Sequence, residues 1–149
     1  MINNIDSKIL NILQKNSRTT NAEIARQIKM APSAVLERIK KLENKRVIKK
    51  YTALIDAKEV NNDLLAFIHV KATGPVVDQK TAKALAKVPE VQEVHLVAGE
   101  DCFLAKVRVE NAAALTELLR TKIASIESIR STSTTIVLET VKENHELIF

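Results

Sequence analysis

The chain has 149 residues, 46% of them hydrophobic and 28% charged, with three Phe, one Tyr, no Trp, two Gly and three Pro. That length fits one ordinary domain or two small ones, with enough apolar residues to bury real cores. Glycine occurs only at Gly74 and Gly99, which excludes a G-x-G-x-x-G or P-loop phosphate cradle. His69, His95 and His145 stand far apart beside the single Cys102, so no zinc spacing exists, no intrachain disulfide can form, and neither metal nor resident cofactor is expected. The lack of a signal peptide or long apolar run predicts a cytoplasmic protein with no membrane partner. So few aromatic side chains also argue against a base-stacking platform for single-stranded nucleic acid.

The net charge of +5 is unevenly spread: Lys+Arg outnumber Asp+Glu by 13 to 6 over residues 1–60 and trail by 10 to 12 over residues 61–149. The first part is built for a polyanion and the second is not. Within residues 38–50, Arg38, Lys40, Lys41, Lys45, Arg46, Lys49 and Lys50 face only Glu43.

Ile5, Ile9, Ile12 and Leu13 recur at helical spacing and predict a first helix from about Asp6 to Lys15. Thr20-Asn21-Ala22-Glu23 has the form of a capping box, opening a second helix over Asn21 to Ile28 that buries Ile24, Ala25 and Ile28. Lys29-Met30-Ala31 makes a short turn, and Pro32 suits the first position of a third helix running to Asn44. On that helix Val35, Ile39 and Leu42 form the inner stripe; Ser33, Glu37, Lys40, Lys41 and Asn44 lie opposite, with Ala34 and Arg38 on the flanks. This is the layout of a helix-turn-helix for double-stranded DNA. Ser33 and Ala34 are small enough to approach base edges, Glu37 on the outer face and Arg38 on its flank are further candidate contacts, and the lysines with Arg46 suit phosphates. A protein-interaction module with a solvated basic face is the bland alternative.

Val47 to Ile55 alternates and predicts a strand leaving this unit; Asn61-Asn62 ends a polar linker. The predicted order continues with strand Leu64–Ala72, a turn at Gly74-Pro75, helix Val77–Val88, strand Val91–Val97, a turn at Gly99, strand Cys102–Val109, helix Ala112–Ala124 and strand Ser128–Val141. The fold class is therefore α+β: a helix-turn-helix domain over 1–50, a hinge strand and linker over 51–63, and a ferredoxin-like βαββαβ domain over 64–149. Phe67, Leu104 and Val137 enrich the sheet in apolar surface, so its uncovered face calls for a second copy of the chain.

Pro32-Ser33-Ala34-Val35-Leu36-Glu37-Arg38-Ile39-Lys40-Lys41-Leu42-Glu43, then Val47-Ile48-Lys49-Lys50-Tyr51, then the βαββαβ order, resembles the Lrp/AsnC (feast/famine) transcriptional regulators. The resemblance spans the chain from Ile5-Asp6-Ser7-Lys8-Ile9-Leu10 to the strand Ser131–Leu138. It implies a homodimer built through the C-terminal (RAM-type) domains, further assembly into octamer-like rings, and small effectors, usually amino acids, bound between dimers. The resemblance maps the effector loop onto Gly99, Glu100, Asp101 and Cys102, and pocket hydroxyls onto Thr132, Ser133 and Thr134. In many members a serine stands where this chain has Ala31, a glycine where it has Arg46 and an aspartate where it has Cys102. Read without the family, Gly99 is a hairpin turn and the Ser/Thr run a polar strand face. The expected function is sequence-specific DNA binding tuned by an amino acid, against two others. A nucleoid-organising protein would bind DNA without an effector. An enzyme would rest on Cys102, for which no histidine is identifiable as a base.

Overall fold

In the computed structural model, which describes residues 2–73, 79–99 and 103–149, the chain divides into two units. Met1–Leu54 with Lys142–Phe149 form a helical unit, and Ile55–Val141 form a sheet unit. Residues 142–149, expected with the sheet, thus group with the helices.

The helical unit holds α1 (Asn4–Lys15), α2 (Asn21–Ile28) and α3 (Pro32–Asn44). Helix α1 starts two residues ahead of the sequence expectation because the Asn3 side chain accepts the Asp6 amide at 2.8 Å and caps the earlier turn. At α2 the Thr20 hydroxyl accepts the Glu23 amide at 3.2 Å, but the Glu23 carboxylate turns to Arg26 and Gln27 rather than completing the box. Lys29 takes a left-handed φ of 57°, which lets the Met30 amide reach the Ala25 carbonyl at 2.9 Å and tightens the turn into α3. Ala31 offers α3 no side-chain cap. Ile9, Ile24 and Val35 are fully buried at the centre, with Leu10, Leu13, Ala25, Ile39 and Leu42 around them. Ile12, expected inside, is only half buried; Leu10 takes the inner place.

Beyond α3, Arg46 adopts φ 55°, and the amides of Arg46 and Val47 return to the carbonyls of Glu43 and Leu42 at 2.8 and 2.9 Å. The strand expected over Val47–Ile55 is absent: this stretch is irregular, and Leu54 and Ile55 are exposed. A strand needs a neighbour to take its alternate amides, and the four strands described pair among themselves.

The sheet unit runs β1 (Leu64–Ala72), α4 (Gln79–Ala86), β2 (Val91–Leu96), β3 (Phe103–Val109), α5 (Ala112–Glu117) and β4 (Ile129–Ile136). The order β2-β3-β1-β4, antiparallel throughout, is the ferredoxin-like arrangement. The turn at Gly74-Pro75, the start of the helix expected from Val77, and Glu100, Asp101 and Cys102 lie outside the described residues. Strand β4 stops five residues short of the expected Val141. Ile136 pairs with Ala66, the Val137 amide takes the Leu65 carbonyl at 2.9 Å, and β1 begins at Leu64, so its partner runs out. Helix α5 passes into a π-helical turn over Leu118–Ile123, closed by the Ala124 amide on the Leu119 carbonyl at 2.9 Å. The wider turn brings residues five apart to one side, and both Leu118 and Ile123 are buried.

Ala66, Ile68, Val70, Phe103, Ala105 and Val107 form the core with Leu85, Val88, Leu115, Leu118 and Ile123. Strand alternation sends Leu65, Phe67 and His69 to the opposite face with Leu104 and Lys106. That face is less apolar than the sequence promised. Lys106, 9% exposed, lies opposite Glu93 and bonds its carboxylate at 3.3 Å, and the Glu93 carboxylate also meets His95 at 3.0 Å.

Candidate DNA surface and effector residues

With Val35, Ile39 and Leu42 buried, the 3.6-residue period of α3 puts Ser33, Glu37, Lys40 and Lys41 in the open, and all four are exposed. Ala34 is half buried beside them. Lys45, Arg46, Lys49 and Lys50 continue the exposed basic surface past the helix end. The left-handed turn at Arg46 redirects the chain there in place of the glycine that such a φ favours. Lysine heads on flexible stems held this way can meet phosphates, while short side chains at the start of the helix allow close approach to a groove.

Arg38 differs from the other predicted contacts. Its Nη1 donates to Asp6 Oδ1 at 2.8 Å, and the two side chains are 30% and 18% exposed. From the flank of the helix, one nitrogen of the guanidinium thus fastens α3 to α1. The sequence held the signal: Val35, Arg38, Ile39 and Leu42 follow the i, i+3, i+4, i+7 pattern of the inner stripe. Tyr51 makes a contact that the sequence pattern did not assign. Its hydroxyl donates to Glu43 Oε1 at 2.9 Å, drawing the segment that carries Lys49 and Lys50 back to α3. Desolvation of the phenol, then the hydrogen bond and charge of Glu43, push its pKa up to about 12, although the residue as a whole is half exposed.

Of the predicted effector residues, Gly99 and Thr132, Ser133 and Thr134 are described, and they do not share one strand. The register aligns Leu96, Phe103, Val70 and Thr132 in one row. The loop after β2 therefore opens at the same end of the sheet as Thr132, yet β3 and β4 are two strand spacings apart, about 10 Å. Thr132 and Thr134 pair with Val70 and Ile68 and share their face; Ser133 pairs with His69 on the other. The described end of the loop and the two faces of β4 therefore do not converge on one point of the sheet. Gly99 is exposed, adopts no positive φ, and a Cβ there would meet nothing within 4 Å. No group of three metal-ligating side chains occurs among the described residues.

Known proteins decide what this arrangement belongs to. The model described as the Lrp/AsnC ligand binding domain matches residues 65–147, more than half of the chain, and a winged helix-turn-helix DNA-binding model matches residues 2–49. The chain belongs to the Lrp/AsnC family. It is thus a DNA-binding transcriptional regulator by family and not an enzyme. The leucine-responsive regulatory proteins of Escherichia coli K12 and Klebsiella pneumoniae are each 34% identical to it over 149 residues, covering 99% of this chain and 91% of the relative. Among solved structures, E. coli AsnC is 29% identical with a TM-score of 0.89, covering 97% of both chains. A Neisseria meningitidis transcriptional regulator in complex with L-methionine is 28% identical with a TM-score of 0.91, covering 99% of this chain and 97% of that one. The feast or famine regulatory protein of M. tuberculosis complexed with L-methionine is 30% identical with a TM-score of 0.91, covering 99% of both chains. Within this Lrp/AsnC chain, no described helix is long and apolar enough to cross a membrane.

Proposed function

We propose that this Lrp/AsnC regulator acts in the cytoplasm as a homodimer that binds specific double-stranded DNA, and that an amino acid adjusts its binding or its assembly. The observation that carries the DNA part is the exposure of Ser33, Glu37, Lys40, Lys41, Lys45, Arg46, Lys49 and Lys50 on and just beyond α3, with half-buried Ala34 beside them. Ser33 and Ala34 read base edges, and the basic residues take phosphates.

The amino-acid part rests on two supports. Relatives of the same fold were solved with L-methionine. The separation of the β2–β3 loop from Thr132 and Thr134 by about 10 Å also fits a pocket completed by another copy of the chain. In this reading the DNA-binding part is 1–50, the hinge and linker 51–63 and the effector and assembly part 64–141, with 142–149 returning to the helical unit, and dimers assemble further into rings. A carboxylate takes hydroxyls and loop amides, with Glu100 or Asp101 answering the ammonium group. Calorimetry and sedimentation with each of the twenty amino acids test it. Heat and a change in assembly size with one of them are the expected result. No response to any of them would leave a DNA organiser without an effector.

A further inference from the structure

The chain leaves the sheet unit at Val141 and ends in the helical unit. It does so in irregular, exposed backbone: Leu138, Val141, Leu147 and Ile148 are all exposed, so apolar burial does not hold the tail. A side chain of α1 does. Gln14 of α1 donates its Nε2 to the Leu147 carbonyl at 3.1 Å and accepts the Leu147 amide on its Oε1 at 2.8 Å. A primary amide carries donor and acceptor side by side, as the main chain does, and here it makes one rung of a ladder with residue 147. Just upstream the Glu146 amide bonds Asn144 Oδ1 at 2.9 Å and turns the segment. The far end is fixed too, by the Val137 amide on the Leu65 carbonyl.

We propose that Gln14 is a positioning residue for DNA binding: it latches the C-terminal tail and so gives the helical unit a second tether beside the 55–63 linker. The inference rests on the proposed dimer with two DNA-reading units. When two linked modules engage one duplex, the second engagement depends on how far the tethers let the module wander. A second tether removes part of that freedom before DNA is met, which favours binding of both units and does nothing for one unit alone. In sequence the tail follows β4, the strand that carries Thr132, Ser133 and Thr134.

The test uses the full chain with random-sequence duplexes of about 12 and about 40 base pairs, which accommodate one and two helical units. Gln14→Met keeps side-chain length and helix preference while removing both hydrogen bonds. It should weaken binding to the long duplex about fivefold or more and leave the short one within about twofold. Deleting residues 147–149 should do the same. Hydrogen exchange at the Leu147 amide should be slowed about tenfold or more in the parent chain and unslowed in Gln14→Met. Unslowed exchange in the parent chain, or full long-duplex affinity in Gln14→Met, would overturn the latch. A parent chain that binds both duplexes equally would overturn the two-unit reading, with the exchange rate at Leu147 still deciding whether the latch exists.

Discussion

The helical unit and the sheet unit solve opposite problems. In the helical unit one helix carries both the buried stripe and the exposed basic surface, so a single 3.6-residue period separates core from candidate site. In the sheet unit the candidate effector residues sit on a loop after one edge strand and on the other edge strand, and strand alternation divides Thr132 and Thr134 from Ser133. A surface confined to one helix is complete in one chain. The effector pocket proposed above draws on both edges of a sheet, and in that proposal another copy of the chain completes it.

If the two units are separable, a cavity in one should leave the other intact. Ile24 is fully buried in the helical unit. Ile24→Ala should cost about 2–5 kcal/mol, enough to abolish DNA binding while the calorimetric transition of the sheet unit stays in place. A single merged transition that shifts as a whole would erase the distinction.

The exposed face of α3 is tested next. Replacing Lys40 and Lys41 by Ala should lower the slope of log affinity against log salt by about two and weaken binding to all DNA sequences alike. Arg38 sharpens the contrast within that helix. Arg38→Met should cost about 1 kcal/mol of helical-unit stability by freeing Asp6, with the salt slope unchanged; a fall in slope would return Arg38 to the phosphate contacts.

Arg46 combines strain and charge. Because it holds φ 55°, Arg46→Gly should raise the melting free energy of the helical unit by up to about 1 kcal/mol. The same change should lower the salt slope by about one if the guanidinium meets a phosphate. A smaller effect belongs to the sheet. The hydrogen bond from His95, with the Lys106 charge adding to it, holds the Glu93 carboxyl below its ordinary 4.5, against the opposing effect of burial. A carboxyl depressed in the folded state contributes stability above its unfolded pKa and loses it as pH falls through the folded value. Acid titration below about pH 4.5 should therefore destabilise the sheet unit, and Glu93→Gln should flatten that slope without touching the helical unit.

Much of this molecule was legible from local patterns. The bounds of α2 and α3, the strand β1 and the ferredoxin-like order follow from hydrophobic period and turn residues, because each side chain's solvent exposure is set by its own helix or strand. The exposed lysines of α3 belong to the same class of inference. What local patterns could not supply was partnership. Val47–Ile55 alternates as a strand should, yet none of the described strands pairs with it, and β4 ends where β1 begins, a limit set by the register of two segments about sixty residues apart in sequence.

Tertiary structure alone decided that Arg38 meets Asp6, that Tyr51 reaches Glu43, and that Gln14 holds the main chain of Leu147. The residues of the first and last pairs are 32 and 133 positions apart. No periodicity relates such positions, since a side chain's reach depends on how whole elements pack and not on its neighbours in sequence. The amino-acid sequence by itself determined which faces are oily and which are basic; packing determined which of the charged and polar groups are spent inside the fold and which are left facing outward.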